Sequence, residues 1–216
     1  MLNEDVGWIR PSRVRRELDG GSTEHFPITI RPTSWSFLPH KVVRIDDIRR
    51  ASPVERGTLL SLVFDLLVNN WSRVRFGPCI EGSVFELALE EAPKHFSYLD
   101  GYLTVSIGPR DSHFHLCLGP TRGLTGETPE ELAAIRQCAK AEMVRVIGSD
   151  GRPRSWQVVL WNGAQEQMVT FFLPSPFRDD DMQKLRTPDP NRLALWNALR
   201  ARYLGERVPE PFVVER

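Results

Sequence analysis

Three Gly-Pro pairs, at 77–78, 108–109 and 119–120, cut the middle of this 216-residue chain into apolar segments of strand length. Gly and Pro punctuate regular structure more strongly than any other residues, so this region reads as short strands joined by turns. Three stretches of helical spacing surround it. Ser52-Pro53-Val54-Glu55 opens the first, with Ser at the N-cap, Pro at the first helical position and Glu three residues on. That helix is expected to run to about Asn70 and to bury Leu59, Leu60, Val63, Leu66 and Leu67. Thr128-Pro129-Glu130-Glu131 opens the second by the same chemistry. The spacing predicts its continuation to about Val146, giving an inserted helix over 128–147 with Leu132, Ile135, Ala139, Met143 and Val146 turned inward. Asp189-Pro190 caps a third helix, carrying Leu193, Leu195, Trp196, Leu199 and Tyr203.

Strands are expected over 83–90, 102–107 and 112–118. A hairpin follows over 155–161 and 166–173, where Asn162-Gly163 is read as the source of the positive φ values of a tight turn. The order of helix, three strands, helix, two strands and helix contains no βαβ alternation. The predicted class is therefore α+β, built on antiparallel sheet with flanking helices. Residues 1–50, rich in Pro, Arg and Ser, read as an N-terminal extension that wraps or projects. Residues 51–205 form the domain and 206–216 a C-terminal tail.

Charge and cysteine content set the wider limits. With 28 basic and 28 acidic residues the formal net charge is zero, so no global field draws nucleic acid or an anionic membrane. No apolar run approaches the roughly 18–20 residues of a membrane span. The first residues lack the continuous apolar stretch of a secretory signal. Cys79, Cys117 and Cys138 are odd in number and lack CxxC spacing, so neither a disulfide framework nor a zinc ribbon is indicated. A cytoplasmic protein with reduced thiols is the expectation. The sequence holds no phosphate loop, dinucleotide fingerprint, GxSxG elbow or HExxH motif.

The segment Asp111-Ser112-His113-Phe114-His115-Leu116-Cys117 carries the chemistry. As a strand it points His113, His115 and Cys117 out of one face. Imidazole and thiolate are ligands for transition metals and for haem iron, so these three are the candidate metal set. The bland alternative is a pair of solvated histidines beside a small buried cysteine, which packs as a modest hydrophobe. Cys138 and Glu142, four apart on the second expected helix, share a side of it. Glu86 interrupts an apolar run, and Cys79 follows Gly77-Pro78 on irregular backbone where a thiol stands exposed. Trp71, Trp156, Trp161 and Trp196 read as core or dimer-contact aromatics, because no Lys/Arg interleaving marks a nucleic-acid surface.

From Phe64-Asp65-Leu66-Leu67 through Trp71-Ser72-Arg73-Val74 to Val84-Phe85-Glu86-Leu87, the chain resembles the ChuX/HutX/HemS haem-utilisation family. The resemblance continues through Ala92-Pro93, Gly101-Tyr102-Leu103 and His113-Phe114-His115-Leu116. It returns in Ser155-Trp156-Gln157-Val158-Val159-Leu160-Trp161-Asn162-Gly163, in Gln167-Met168-Val169-Thr170-Phe171-Phe172 and around Leu195-Trp196-Asn197-Ala198-Leu199. It spans roughly residues 57–204. The resemblance implies a sheet-rich domain that pairs as a homodimer and holds haem against the sheet. His115 matches the strand histidine of that family and is the expected axial ligand, with His113 as second ligand or proton donor. A haem-binding histidine of the family falls at about Cys79, and a thiolate there makes a different iron site. Arg122, with Arg110, Arg136 and Arg145, is a candidate for bidentate pairing with propionates. The helix expected over 128–147 is longer than the family pattern.

A haem- or tetrapyrrole-binding carrier, buffer or partner of haem degradation, with a largely apolar pocket beside the sheet, is the leading reading. The alternative is a metal-dependent or tetrapyrrole-modifying enzyme on the same scaffold, using His113, His115 and a carboxylate from Glu86 or Glu142. A third reading is an interaction domain with neither pigment nor metal, since fold does not determine function.

Overall fold

This computed structural model describes residues 21–37, 42–80, 82–108, 112–123 and 128–206. Arg110, the first twenty residues and the tail from 207 lie outside the described residues. In chain order the strands are β1 (Ser22–Ile28), β2 (Val43–Arg44), β3 (Arg75–Gly77), β4 (Cys79–Ile80), β5 (Ser83–Val84) and β6 (Leu87–Ala88). They continue with β7 (Phe96–Leu99), β8 (Tyr102–Ser106), β9 (His113–Cys117), β10 (Cys138–Ile147), β11 (Pro153–Asn162) and β12 (Gln167–Phe172). The α-helices are α1 (Ile45–Arg50), α2 (Pro53–Phe64), α3 (Glu130–Arg136) and α4 (Ala194–Tyr203).

A large sheet has the order β1-β10-β11-β12-β3-β6 and a smaller one the order β2-β7-β8-β9, while β4 and β5 form a two-stranded ribbon. Every strand pairing is antiparallel, so the class is α+β as the element order implied. The segment read as an extension supplies β1, an edge of the large sheet, and β2, an edge of the small one.

Alpha-helix α2 starts as its cap chemistry demands. Ser52 Oγ accepts from Glu55 N at 3.3 Å, and Glu55 Oε2 accepts from Ser52 N at 2.8 Å. The helix kinks at Gly57 (φ +67) and runs on into a π-turn over Asp65–Asn69. Leu59, Leu60, Val63, Leu66 and Leu67 are all buried. Asp65, also buried, accepts from Tyr203 Oη at 2.6 Å, Arg202 Nη1 at 3.1 Å and Asn69 Nδ2 at 2.9 Å. That network ties the end of α2 to α4. Phe76 joins the sheets: its ring lies 5.9 Å from Phe171 in the large sheet and 5.3 Å from Phe114 in the small one.

The second expected helix is corrected. Only Glu130–Arg136 is helical, without a side-chain cap, and Cys138–Ile147 is a ten-residue strand between β1 and β11. Ala141 and Met143 face the core, but Glu142 and Val144 on the opposite face are buried as well. A strand covered on both sides loses its two-residue alternation, and Ala, Lys, Glu and Met then read as helix formers. Pairing on both edges overrides that propensity. Cys138 and Glu142 are consequently strand residues and not neighbours on a helix.

The β11–β12 hairpin is present, but for another reason than the one expected. The positive φ belongs to Gln165 (φ +63), while Asn162 Oδ1 accepts from Ala164 N at 3.0 Å and Glu166 N at 2.8 Å. Gly163 is needed for space: a Cβ there would stand 2.1 Å from the Ala134 carbonyl oxygen of α3. Residues 83–90, expected as one strand, divide into β5 and β6 with Glu86 between them. Among the described residues no helix is long and apolar enough to cross a membrane.

Candidate functional site

Beta-strand β9 reads exposed, half-buried, exposed, buried, buried from His113 to Cys117. Phe114 and Leu116 therefore pack inward, and His113 and His115 stand on the outer face of the small sheet. The register extends this face across three more strands. Thr104 pairs with both His115 and Ser97, and Ser97 pairs with Arg44, so these four residues form one outward row. Ser106, opposite His113, accepts from His95 N through its hydroxyl at 2.9 Å, which brings a third histidine alongside.

The three imidazoles are neighbours. The His113 and His115 rings lie 6.0 Å apart at 27°, and those of His95 and His113 lie 6.3 Å apart at 89°. His115 Nδ1 is hydrogen-bonded to Thr104 Oγ1 at 2.9 Å, and His95 Nε2 to Ser97 Oγ at 2.9 Å. All three side chains are exposed, so the imidazole face is open surface rather than the apolar hollow expected beside the sheet.

Among the described residues no three His, Cys, Asp or Glu side chains come together as a metal site. The trio expected on β9 divides by depth. Cys117 shares the parity of the histidines but is buried, and its thiol donates to the Gly119 carbonyl at 3.4 Å. Burial raises its pKa to about 11, against smaller opposing effects of Tyr102 and Gly119. Cys79 is likewise corrected from exposed backbone to a buried position on β4. Burial pushes its thiol up, a hydrogen bond with Thr170 of the large sheet opposes this, and Glu86 adds to the rise. Its strand partner is Val84 of β5, and Thr170 and Glu86, not the imidazoles, stand beside its thiol.

The candidate carboxylates have other partners. Glu142 is buried beside Lys140 Nζ at 3.1 Å and His25 Nδ1 at 3.2 Å. Packing raises the Glu86 carboxyl above its usual range, against a smaller pull from Arg75, although the residue keeps an exposed surface. Arg145 is engaged by Glu24, its Nε donating to Oε2 at 2.7 Å. Arg122 follows the small sheet: its backbone N–H donates to Asp100 Oδ1 at 3.0 Å and its side chain is exposed.

His95, Thr104, Ser97 and Arg44 were not singled out from the sequence. Asp100 (φ +46) and Gly101 (φ +79) form the tight turn joining β7 to β8. An Asp-Gly pair between Phe96–Leu99 and Tyr102–Ser106 was the available signal for that hairpin, and the hairpin sets His95 beside Ser106.

No curated protein matches the sequence. Among solved structures, the crystal structure of ChuX is similar at 18% sequence identity, with 77% of this chain and 78% of that chain covered and a TM-score of 0.43. Residues 43–205 match DUF7676, described as a family of unknown function, and the chain belongs to that family.

Proposed function

We propose that the protein binds an iron tetrapyrrole on the imidazole face of the small sheet, with His115 as the axial ligand. The observation that carries this reading is the bond between Thr104 Oγ1 and His115 Nδ1. A histidine held through one ring nitrogen has its orientation set and offers the other, here Nε2, as donor. The donor set suits haem, for which a single imidazole is a sufficient protein ligand. Iron supplies the coordination chemistry; the chain supplies the ring, its orientation and the groups around it.

His113, stacked beside His115, serves as a second donor or hydrogen-bonds a propionate. Arg44, at the far end of the His115 row, and Arg122, on the loop after β9, are the proposed carboxylate partners. The buried thiols of Cys79 and Cys117 are not assigned as ligands. Because the face is open, a bound macrocycle would keep one side in water. A second copy of the chain is proposed to cover it, so haem and homodimer form together.

Titrating hemin into the purified protein and following the Soret band tests the reading. A saturable shift is expected in the wild type and is expected to vanish in His115→Ala. Thr104→Val keeps the ring but frees its orientation, and is expected to weaken binding about 10-fold or more. An unshifted band in the wild type, or the same titration in His115→Ala, would reject the assignment.

A further inference from the structure

A second region of the molecule has the makings of a binding site. Where β12, β3 and β6 form the far side of the large sheet, a cleft of about 530 Å³ opens between the strands and residues 174–184. That volume falls within the range of small-molecule sites. Its walls include Trp71, Phe172 and Phe177.

Six basic side chains line the cleft against three acidic ones. Arg192 pairs with Asp180 at 2.6 Å and Arg154 with Asp150 at 2.5 Å. Arg178 and Arg75 are held by backbone carbonyls, although Arg75 also acts on the Glu86 carboxylate in the same lining. Arg178 Nη1 donates to the Met182 carbonyl at 2.7 Å and Arg75 Nη2 to the Asp180 carbonyl at 3.2 Å. Such bonds satisfy donors but leave the positive charge in place. Arg73 and Lys184 form no ion pair among the described residues.

The decisive feature is an isolated antiparallel bridge between Arg178 and Lys184. Residues directly opposite each other project from the same side, and like charges in that arrangement destabilise the pairing. The turn holds them there nonetheless: Asp179 N donates to the Gln183 carbonyl at 2.9 Å, Leu185 N to the Phe177 carbonyl at 2.9 Å, and Asp179 Oδ1 accepts from Gln183 N at 2.8 Å. The bridge sets Arg178 and Lys184 opposite each other on the lining of an aromatic-walled cleft, an arrangement suited to an anion.

We propose that this cleft binds an aromatic organic anion, its flat ring against Trp71 and Phe177 and its phosphate or carboxylate between Arg178 and Lys184. The site lies on the large sheet, apart from the imidazoles, and does not rest on the tetrapyrrole reading.

Isothermal titration calorimetry with 1-naphthyl phosphate and 1-naphthoate, with inorganic phosphate as a ring-free control, tests it. At least one naphthyl anion is expected to bind one-to-one, and the tighter of the two identifies the anionic group. Inorganic phosphate is expected to bind at least about 10-fold more weakly, for want of the aromatic contact. Replacing both cations (Arg178→Ala with Lys184→Ala) is expected to weaken naphthyl binding at least about 10-fold. His115→Ala is expected to bind as the wild type does. Added salt should weaken the wild type more than the double variant. A melting temperature matching the wild type shows that the double variant is folded, and Lys184→Glu alone, at an exposed position, gives a second reading of the charge. No one-to-one heat with either naphthyl anion, unchanged affinity in both charge variants, or equal affinity for inorganic phosphate would overturn the proposal.

Discussion

At the scale of single residues, depth separates the two kinds of candidate ligand. The imidazoles of His95, His113 and His115 are exposed, whereas Cys79, Cys117 and Cys138 are buried free thiols. Burial raises the Cys117 thiol to about 11 and the Cys138 thiol to about 12, well above an ordinary cysteine. The folded chain therefore holds those protons more tightly than the unfolded chain does. Their stabilising contribution is complete below about pH 9 and is lost as the pH climbs through 11 and 12. Ellman's reagent at pH 8 is expected to find the thiols slow to react in the native protein and fast in guanidinium. Rapid native labelling of all three would contradict the burial. Tyr203 has the same sign: burial first, then the Asp65 charge, pushes its phenol well above the ordinary value. Tyr203→Phe removes the donor to buried Asp65 and is expected to cost about 1.5–3 kcal/mol in denaturant unfolding at pH 7.

At the scale of elements, the parts legible in the sequence were those whose signals are local. The Ser52–Glu55 capping box, the buried leucines of α2 and the strand at His113–Cys117 need only their own residues. The strand β10 was not legible, because its identity comes from partners 117 residues upstream, as with His25 and Glu142, and from burial of both faces. The site was half legible for the same reason. The period of two put His113 and His115 on one face, but only pairing between β7, β8 and β9 reveals His95 and Thr104 beside them. At the β11–β12 turn the sequence pointed to the right place by the wrong mechanism. Gly163 packs against the Ala134 carbonyl, so Gly163→Ala is expected to destabilise the fold by about 1–3 kcal/mol through overpacking. A neutral melting temperature would show that α3 yields freely.

At the scale of the molecule, two antiparallel sheets share one core and present two unlike surfaces. Phe76 is the hinge of that core, fully buried between Phe114 and Phe171. Phe76→Ala is expected to cost about 3–5 kcal/mol, with both sheets unfolding in a single transition. The imidazole face and the cationic cleft are built on different sheets, so each can be altered while the other is read. The central claim concerns the first: that His115 supplies the bond to iron. Its most direct measurement mixes His115→Gly with hemin and titrates in free imidazole. The account predicts that the variant loses the wild-type Soret position and regains it as imidazole fills the vacated place. A variant that shows the wild-type spectrum without imidazole would contradict it.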